Sequence, residues 1–339
     1  MDIKNKKYAQ FALVREMLET PDVIASFNTK AVAPFAAAAA SAGRLFLTGE
    51  GSSRIFPAKH AIASVLSWGS TFPIATDGGR QAMDYDLSKY AVIGASNSGK
   101  TRELIELYRK LKAKKHARLF GLTATPGSAL EGIAKGTHVL ACGKEDAVAA
   151  TKSVVEQALF VHALVASVAG RKNEMSGLAA AGAAVRKALT VKIPAAIVNA
   201  CAKAGRIYFA GRNDGVAEEL TLKTNEITRK PSAYLEGTYA VHGIEEVMRK
   251  DEVVIVIDPF EAEIEKFEQC LAKGVGMKVI AIAEKKVGRF PTIVIPKAKQ
   301  FAPYVQLAAG WNLLVDIGIA NNVTLDKTAR ARKVGNEAK

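Results

Sequence analysis

Ser96, Asn97, Ser98, Gly99 and Thr101 stand between a short apolar run, Tyr90 to Ala95, and a periodic stretch, Arg102 to Lys112. A buried parallel strand that passes through small, hydroxyl-bearing residues into a helix builds an anion cradle. Backbone N–H groups at the helix N-terminus aim at the anion, the helix dipole favours negative charge, and Ser and Thr hydroxyls complete the shell. The chemistry implied is recognition of a phosphate. The same residues, Gly94-Ala95-Ser96-Asn97-Ser98-Gly99-Lys100-Thr101, also satisfy the nucleotide P-loop pattern G-x-x-x-x-G-K-[ST]. Under that reading the apolar strand Val253 to Ile257 ends in Asp258 as the Mg²⁺-binding acid of a nucleoside triphosphatase. A polar turn with no ligand is a third reading.

A second set of chemistry-bearing residues follows Gly215. Glu219, Lys223 and Glu226 are spaced four and then three apart, so they share one helical face. Spacing alone fits a solvated ion-pair stripe, each pair stabilising the helix by about 0.2–0.5 kcal/mol. Sixteen residues beyond Glu226 comes His242, in Tyr239-Ala240-Val241-His242-Gly243. The other histidines, His60, His116, His138 and His162, fall within helix or strand patterns and read as structural or surface groups.

The elements that must position these residues alternate. A helix over 8–28 is punctuated at Thr20-Pro21-Asp22, where proline suits a helix start, and an alanine-rich helix, Val32 to Ala42, ends at Gly43. Then come a strand, Arg44 to Thr48, the turn Gly49-Glu50-Gly51-Ser52-Ser53, and a helix to about Leu66. Further strands are expected near 72–76, 90–95, 118–123 and 138–142, closed by a long helix from Glu145 to Val168. After helices within 177–204 the pattern restarts: strand Arg206 to Ala210, turn Gly211 to Gly215, helix Val216 to Arg229. Strands at 252–257, 278–283 and 292–295 and a helix over 303–320 complete it. Two α/β halves in tandem, each a doubly wound parallel sheet, are the expected fold class. Gly49-x-Gly51-x-x-Arg54 lacks the third glycine of a dinucleotide fingerprint.

Composition narrows the function classes. The 339 residues are 49% hydrophobic and 24% charged, ordinary values for a globular chain. No apolar run approaches the ~20 residues of a membrane span, and Met1 to Lys7 does not read as a signal sequence, so a cytoplasmic protein without membrane contact is expected. Cys142, Cys201 and Cys270 are far apart and suggest neither a disulfide framework nor a metal cluster. The net charge of +14 would suit nucleic acid. Its Lys and Arg residues are scattered among acids, however, and attraction of a small anionic substrate is the simpler account.

Taken together, Ala149-Ala150-Thr151-Lys152-Ser153, the cradle Ser96-Asn97-Ser98-Gly99-x-Thr101 and Gly51-Ser52-Ser53 resemble the sugar isomerase (SIS) fold. The resemblance is to its double-domain form, as in the isomerase half of glucosamine-6-phosphate synthase and stand-alone phosphosugar isomerases, deaminases and deglycases. It implies two flavodoxin-like SIS domains, 31–172 and 173–325, after a helical segment, 1–30, and before a tail, 326–339. It further implies that Ser52, Ser53, Ser96, Asn97, Ser98, Thr101, Ala150 and Lys152 hold the sugar phosphate. Lys100 departs from the family, which usually has Glu there; it either adds charge or projects into solvent.

For the chemistry, the resemblance makes Glu226 the catalytic base, Lys223 its partner, Glu219 another acid of the site, His242 the ring-opening histidine and Lys333 the tail lysine. The family's Gly-Glu-x-x-His-Gly-Pro is replaced here by Thr238-Tyr239-Ala240-Val241-His242-Gly243-Ile244, with Glu236 as a displaced carboxylate. The implied activity is aldose–ketose interconversion on a hexose phosphate or amino-sugar phosphate, without cofactor or metal, in a homodimer whose sites are completed across the interface. No cysteine nucleophile follows Met1 and the length leaves no room for a glutaminase domain. Nitrogen chemistry would therefore use free ammonia, deamination or cleavage of an amino-acid adduct. A phosphosugar sensor without catalysis is the alternative from another class.

Overall fold

The computed structural model describes residues 1–328, 330 and 336–338. Ten short strands form its two sheets: β1 Leu45–Gly49, β2 Ile74–Asp77, β3 Ala91–Ala95, β4 Leu119–Thr123 and β5 Gly136–Val139, then β6 Ile207–Gly211, β7 Ser232–Glu236, β8 Val253–Ile257, β9 Lys278–Ala283 and β10 Thr292–Val294. Within each sheet every pair is parallel. The orders are β2-β1-β3-β4-β5 and β10-β9-β8-β6-β7. Read from its other edge, the second sheet repeats the order of the first. The fold is that of tandem doubly wound α/β domains.

Apolar runs that are buried on both faces account for this architecture. In the first sheet Leu45, Leu47 and Ile93 enter one core with Phe35 and Phe160, whereas Phe46 and Val92 enter another with Leu104 and Tyr108. The alternation is the period-two geometry of a strand. In the second sheet Tyr208, Val254, Val256 and Val279 pack with Phe267 and Leu271.

The chain divides into two compact units, each discontinuous in sequence. One comprises Met1–Pro21, Asp146–Ala149 and Ala179–Ala329, and holds the second sheet; the other comprises Asp22–Glu145, Ala150–Leu178 and Arg330–Lys339, and holds the first. In a sheet of this order the chain changes direction between its first and third strands, and loops beyond the carboxyl ends part there to receive ligands. Strands β1 and β3 pair to their ends at Gly49 and Ala95, so the residues after each, Glu50–Ser53 and Ser96–Thr101, flank that point. In the second sheet the corresponding loops follow β6 and β8.

Several elements differ from the sequence expectation. Strand β7 was not expected; it lies at an edge, mostly half-buried, and Ser232, Tyr234 and Glu236 give it no apolar run. Pro21 does not start a helix but lies inside Ala12–Ala25. The buried face of Leu13, Met17 and Ile24 continues across it, and tertiary burial offsets the missing backbone bond. The long helix begins at Lys152 rather than Glu145, because the Glu145 carboxylate itself accepts the Thr151 N–H at 2.6 Å. The fifth strand ends at Val139, and the next amides, Ala141 and Cys142, turn to the Glu156 carboxylate at 2.8 and 2.7 Å.

The helix Val216–Thr228 packs on β7 and on the long helix Ala302–Ala320. Gly310 permits that approach, since a Cβ there would run into the buried Leu220 side chain. Gly310→Ala is therefore expected to destabilise by about 1–3 kcal/mol. A thermal melt would register it, and an unchanged midpoint would mean that the two helices have slack between them.

Candidate active site

The cradle is assembled from turns of the first sheet. Gly51–Ser53 forms a short 3₁₀ turn after β1, with Ser52 buried and its hydroxyl without a partner among the described residues. After β3, Ser96 Oγ lies 2.8 Å from Thr101 Oγ1, the Gly99 N–H donates to the Ser96 carbonyl at 3.0 Å, and the Lys100 N–H donates to Ser98 Oγ at 3.2 Å. Gly99 has φ +62°, and a Cβ on it would strike Ser128, so only glycine fits the turn. The helix Arg102–Ala113 starts immediately beyond Thr101. Its first amide is engaged by the chain's own end: Arg102 N–H donates to the Asn336 carbonyl at 3.0 Å and Ala338 N–H to the Lys100 carbonyl at 2.9 Å. Lys100 is exposed.

Asn97 is fixed on two sides. Its carbonyl accepts from Ala124 N–H, Thr123 Oγ1 and Thr125 Oγ1 at 3.1, 3.2 and 3.1 Å. Its side-chain amide donates to Glu145 Oε2 at 3.1 Å. Glu145 also takes the Thr151 N–H and hydroxyl and the Ser153 hydroxyl. Ala150 is half-buried, while Lys152 is buried in the first turn of the helix Lys152–Val168. The sequence reading passed over Glu145; its signal was an acid in the polar turn ahead of Thr151-Lys152-Ser153.

The second cluster lies on Val216–Thr228. Gly215, at φ +92°, opens this helix, and Asp214 Oδ1 accepts the Val216 N–H at 3.1 Å. Desolvation pushes the Asp214 carboxyl up to about 6. Lys223 Nζ stands 2.7 Å from Glu226 Oε2 and 3.6 Å from Glu219 Oε1. Both Lys223 and Glu219 are completely buried, whereas the Glu226 side chain keeps 31% exposure. The solvated stripe is excluded. Instead, an ammonium sits between an inner carboxylate and an outer one that reaches solvent, and only the outer can exchange a proton with a bound molecule.

His242 lies on the exposed turn after Tyr239–Val241, in an open cleft of ≈ 550 Å³ that it lines with Tyr234, Glu236, Thr238 and Tyr239. Tyr234 donates its hydroxyl proton to Asn213 Oδ1 at 2.8 Å. Lys333 falls outside the described residues. Asp258, the acid required by the triphosphatase reading, follows β8 in the second sheet, whereas the cradle follows β3 in the first. It is held by Arg212 Nε at 3.1 Å. Among the described residues no group of three or more His, Cys, Asp or Glu side chains could hold a metal ion, and no single helix is long and apolar enough to cross a membrane.

Residues 40–167, which include both cradle turns, match the family model of the SIS domain. The chain carries a SIS domain. Its fold as a whole is that of tandem SIS domains. The C-terminal domain of glucosamine-fructose-6-phosphate aminotransferase from Francisella tularensis superposes with a TM-score of 0.78 at 18% identity, covering 94% of this chain and 98% of that one. Tagatose-6-phosphate ketose/aldose isomerase from Escherichia coli gives a TM-score of 0.76 at 16% identity, covering 96% and 98%. A glutamine–fructose-6-phosphate aminotransferase (isomerizing) of Aeropyrum pernix is 30% identical over 242 residues, 65% of this chain and 39% of that protein. The chain thus spans about two fifths of the length of this curated relative.

The Lys223 cluster yields a direct test. Removing one member of a buried ion pair typically costs about 3–5 kcal/mol, so Lys223→Met should be strongly destabilised. Adding Glu219→Gln should recover about 1–2 kcal/mol of that loss, a coupling that denaturant melts of the single and double variants would measure. Strictly additive losses would show that the two charges are independent.

Proposed function

We propose that this protein is a phosphosugar isomerase acting on a hexose phosphate or an amino-sugar phosphate, and that it works as a homodimer. The observation that carries the reading is the buried Lys223 ammonium beside the solvent-reaching Glu226, in a chain that also has a hydroxyl-lined cradle at a sheet switch point. The names of its structural neighbours, a tagatose-6-phosphate ketose/aldose isomerase among them, support the same class.

In the proposed reaction Ser52, Ser53, Ser96, Asn97, Ser98 and Thr101 hold the phosphate. Moving a carbonyl from C1 to C2 of a sugar requires a proton to leave one carbon and return at its neighbour. Glu226 takes and returns that proton as general base and acid. Negative charge then develops on the enediolate oxygen, and the buried Lys223 offers a fixed positive charge, where a preorganised donor is worth ~3–4 kcal/mol. Glu219, deeper and completely buried, keeps Lys223 charged and in place. His242, beside Glu236 in an open cleft, moves the proton of ring opening, and Lys333 attends the carbonyl.

Proton NMR in D₂O with fructose 6-phosphate and glucosamine 6-phosphate tests the scheme. The wild-type protein should wash deuterium into C1 or C2. Glu226→Gln should slow this by at least about a hundredfold while still binding the sugar phosphate, whereas Lys100→Ala should change little. Undiminished exchange in Glu226→Gln would remove Glu226 from its role. Binding without any exchange in the wild type would identify a sensor.

A further inference from the structure

We infer that Glu145 is a positioning residue for the phosphate cradle, and that affinity for a phosphorylated sugar depends on it. The inference rests on reading Ser96–Thr101 as that cradle. Glu145 would not touch the sugar. It would act through Asn97, whose side-chain amide it holds at 3.1 Å.

Four donors converge on this carboxylate: the Asn97 amide, the Thr151 N–H, the Thr151 hydroxyl and the Ser153 hydroxyl. An ionised carboxylate accepts at about four lone-pair positions and donates at none, so the set is complete and matches Glu rather than Gln. The backbone N–H of Thr151 cannot be turned to suit another partner. With an amide at residue 145, either Asn97 or Ser153 must rotate.

The network also joins the end of β4 to a helix of the same unit. The Asn97 carbonyl is already tied to the end of β4 by Ala124, Thr123 and Thr125. Glu145 ties its side chain to the first turn of Lys152–Val168, a helix buried along nearly its whole length. A strand end and a buried helix thus fix Asn97, adding to the bonds that hold the rest of the loop, such as Ser96 N–H to the Leu122 carbonyl and Leu130 N–H to the Gly99 carbonyl. A carboxylate this near a phosphate site would repel the ligand if bare. Here four donors satisfy its charge, leaving the orientation of Asn97 as its main effect on binding.

The experiment is calorimetric titration with fructose 6-phosphate, glucosamine 6-phosphate and inorganic phosphate, alongside amide hydrogen exchange of residues 96–101 and the saturated rate of deuterium wash-in. Glu145→Ala should raise Kd for the sugar phosphate at least about tenfold and speed amide exchange in the loop, with the saturated rate falling no more than about threefold. Glu145→Gln and Ser153→Ala should show the same pattern with smaller amplitude, and they serve if Glu145→Ala does not fold. Unchanged Kd and loop exchange in these variants would overturn the inference. A wild-type protein that binds a sugar phosphate but exchanges no proton would end the isomerase reading and leave the role of Glu145 to the binding data. One that binds none of the three probes would overturn both.

Discussion

A lysine ammonium shut away from water must be neutralised where it stands. Lys223 meets that requirement with Glu226 on its outer side and Glu219 on its inner side. Its helix is covered by Ala302–Ala320 and flanked by β7, and the close approach at Gly310 brings Leu220 down onto that cover. Desolvation makes such a pair a poor source of stability. It does, however, hold a positive charge in a fixed place, which a reaction passing through an anion needs.

The turns after β1 and β3, proposed as a phosphate cradle, face the opposite problem. A ligand for these turns must be met by hydroxyls while the loop carrying them is held by its own hydrogen bonds. Hydrogen bonds inside the loop, from the Gly99 N–H to the Ser96 carbonyl and between the Ser96 and Thr101 hydroxyls, set its curl. The ties of Asn97 to β4 and to Glu145 set its direction. The Ser52 hydroxyl, without a partner among the described residues, is what such a site should retain, because a buried polar group without a partner is costly unless a ligand supplies one.

Much of this was legible in the residues themselves. Strands such as Val253–Ile257 are continuous apolar runs, and their alternation with helices gave the tandem α/β architecture directly. The strand–turn–helix unit at Ala91–Ala113 was legible because small polar residues separate an apolar run from a periodic stretch. What could not be read were features decided by distant partners. The spacing of Glu219, Lys223 and Glu226 predicts a shared face but not whether that face is wet, and burial reversed the simpler reading. Glu145 looked like the start of a helix because its role depends on Asn97, forty-eight residues away in the chain. Edge strand β7 escaped because a half-buried edge needs no run of apolar residues.

The two sheets share one strand order yet treat their switch points differently. In the first, hydroxyl-bearing turns flank it. In the second, Arg212 reaches from the loop after β6 to both the carbonyl and carboxylate of Asp258, and its guanidinium lies 3.9 Å from the Phe260 ring centroid. The protein's own opposite charges thus occupy a position that the topology offers to ligands. For protein engineering this is a graft point: the strand order of a second receptor is already present, with Arg212, Asp258 and Phe260 among the side chains to be replaced.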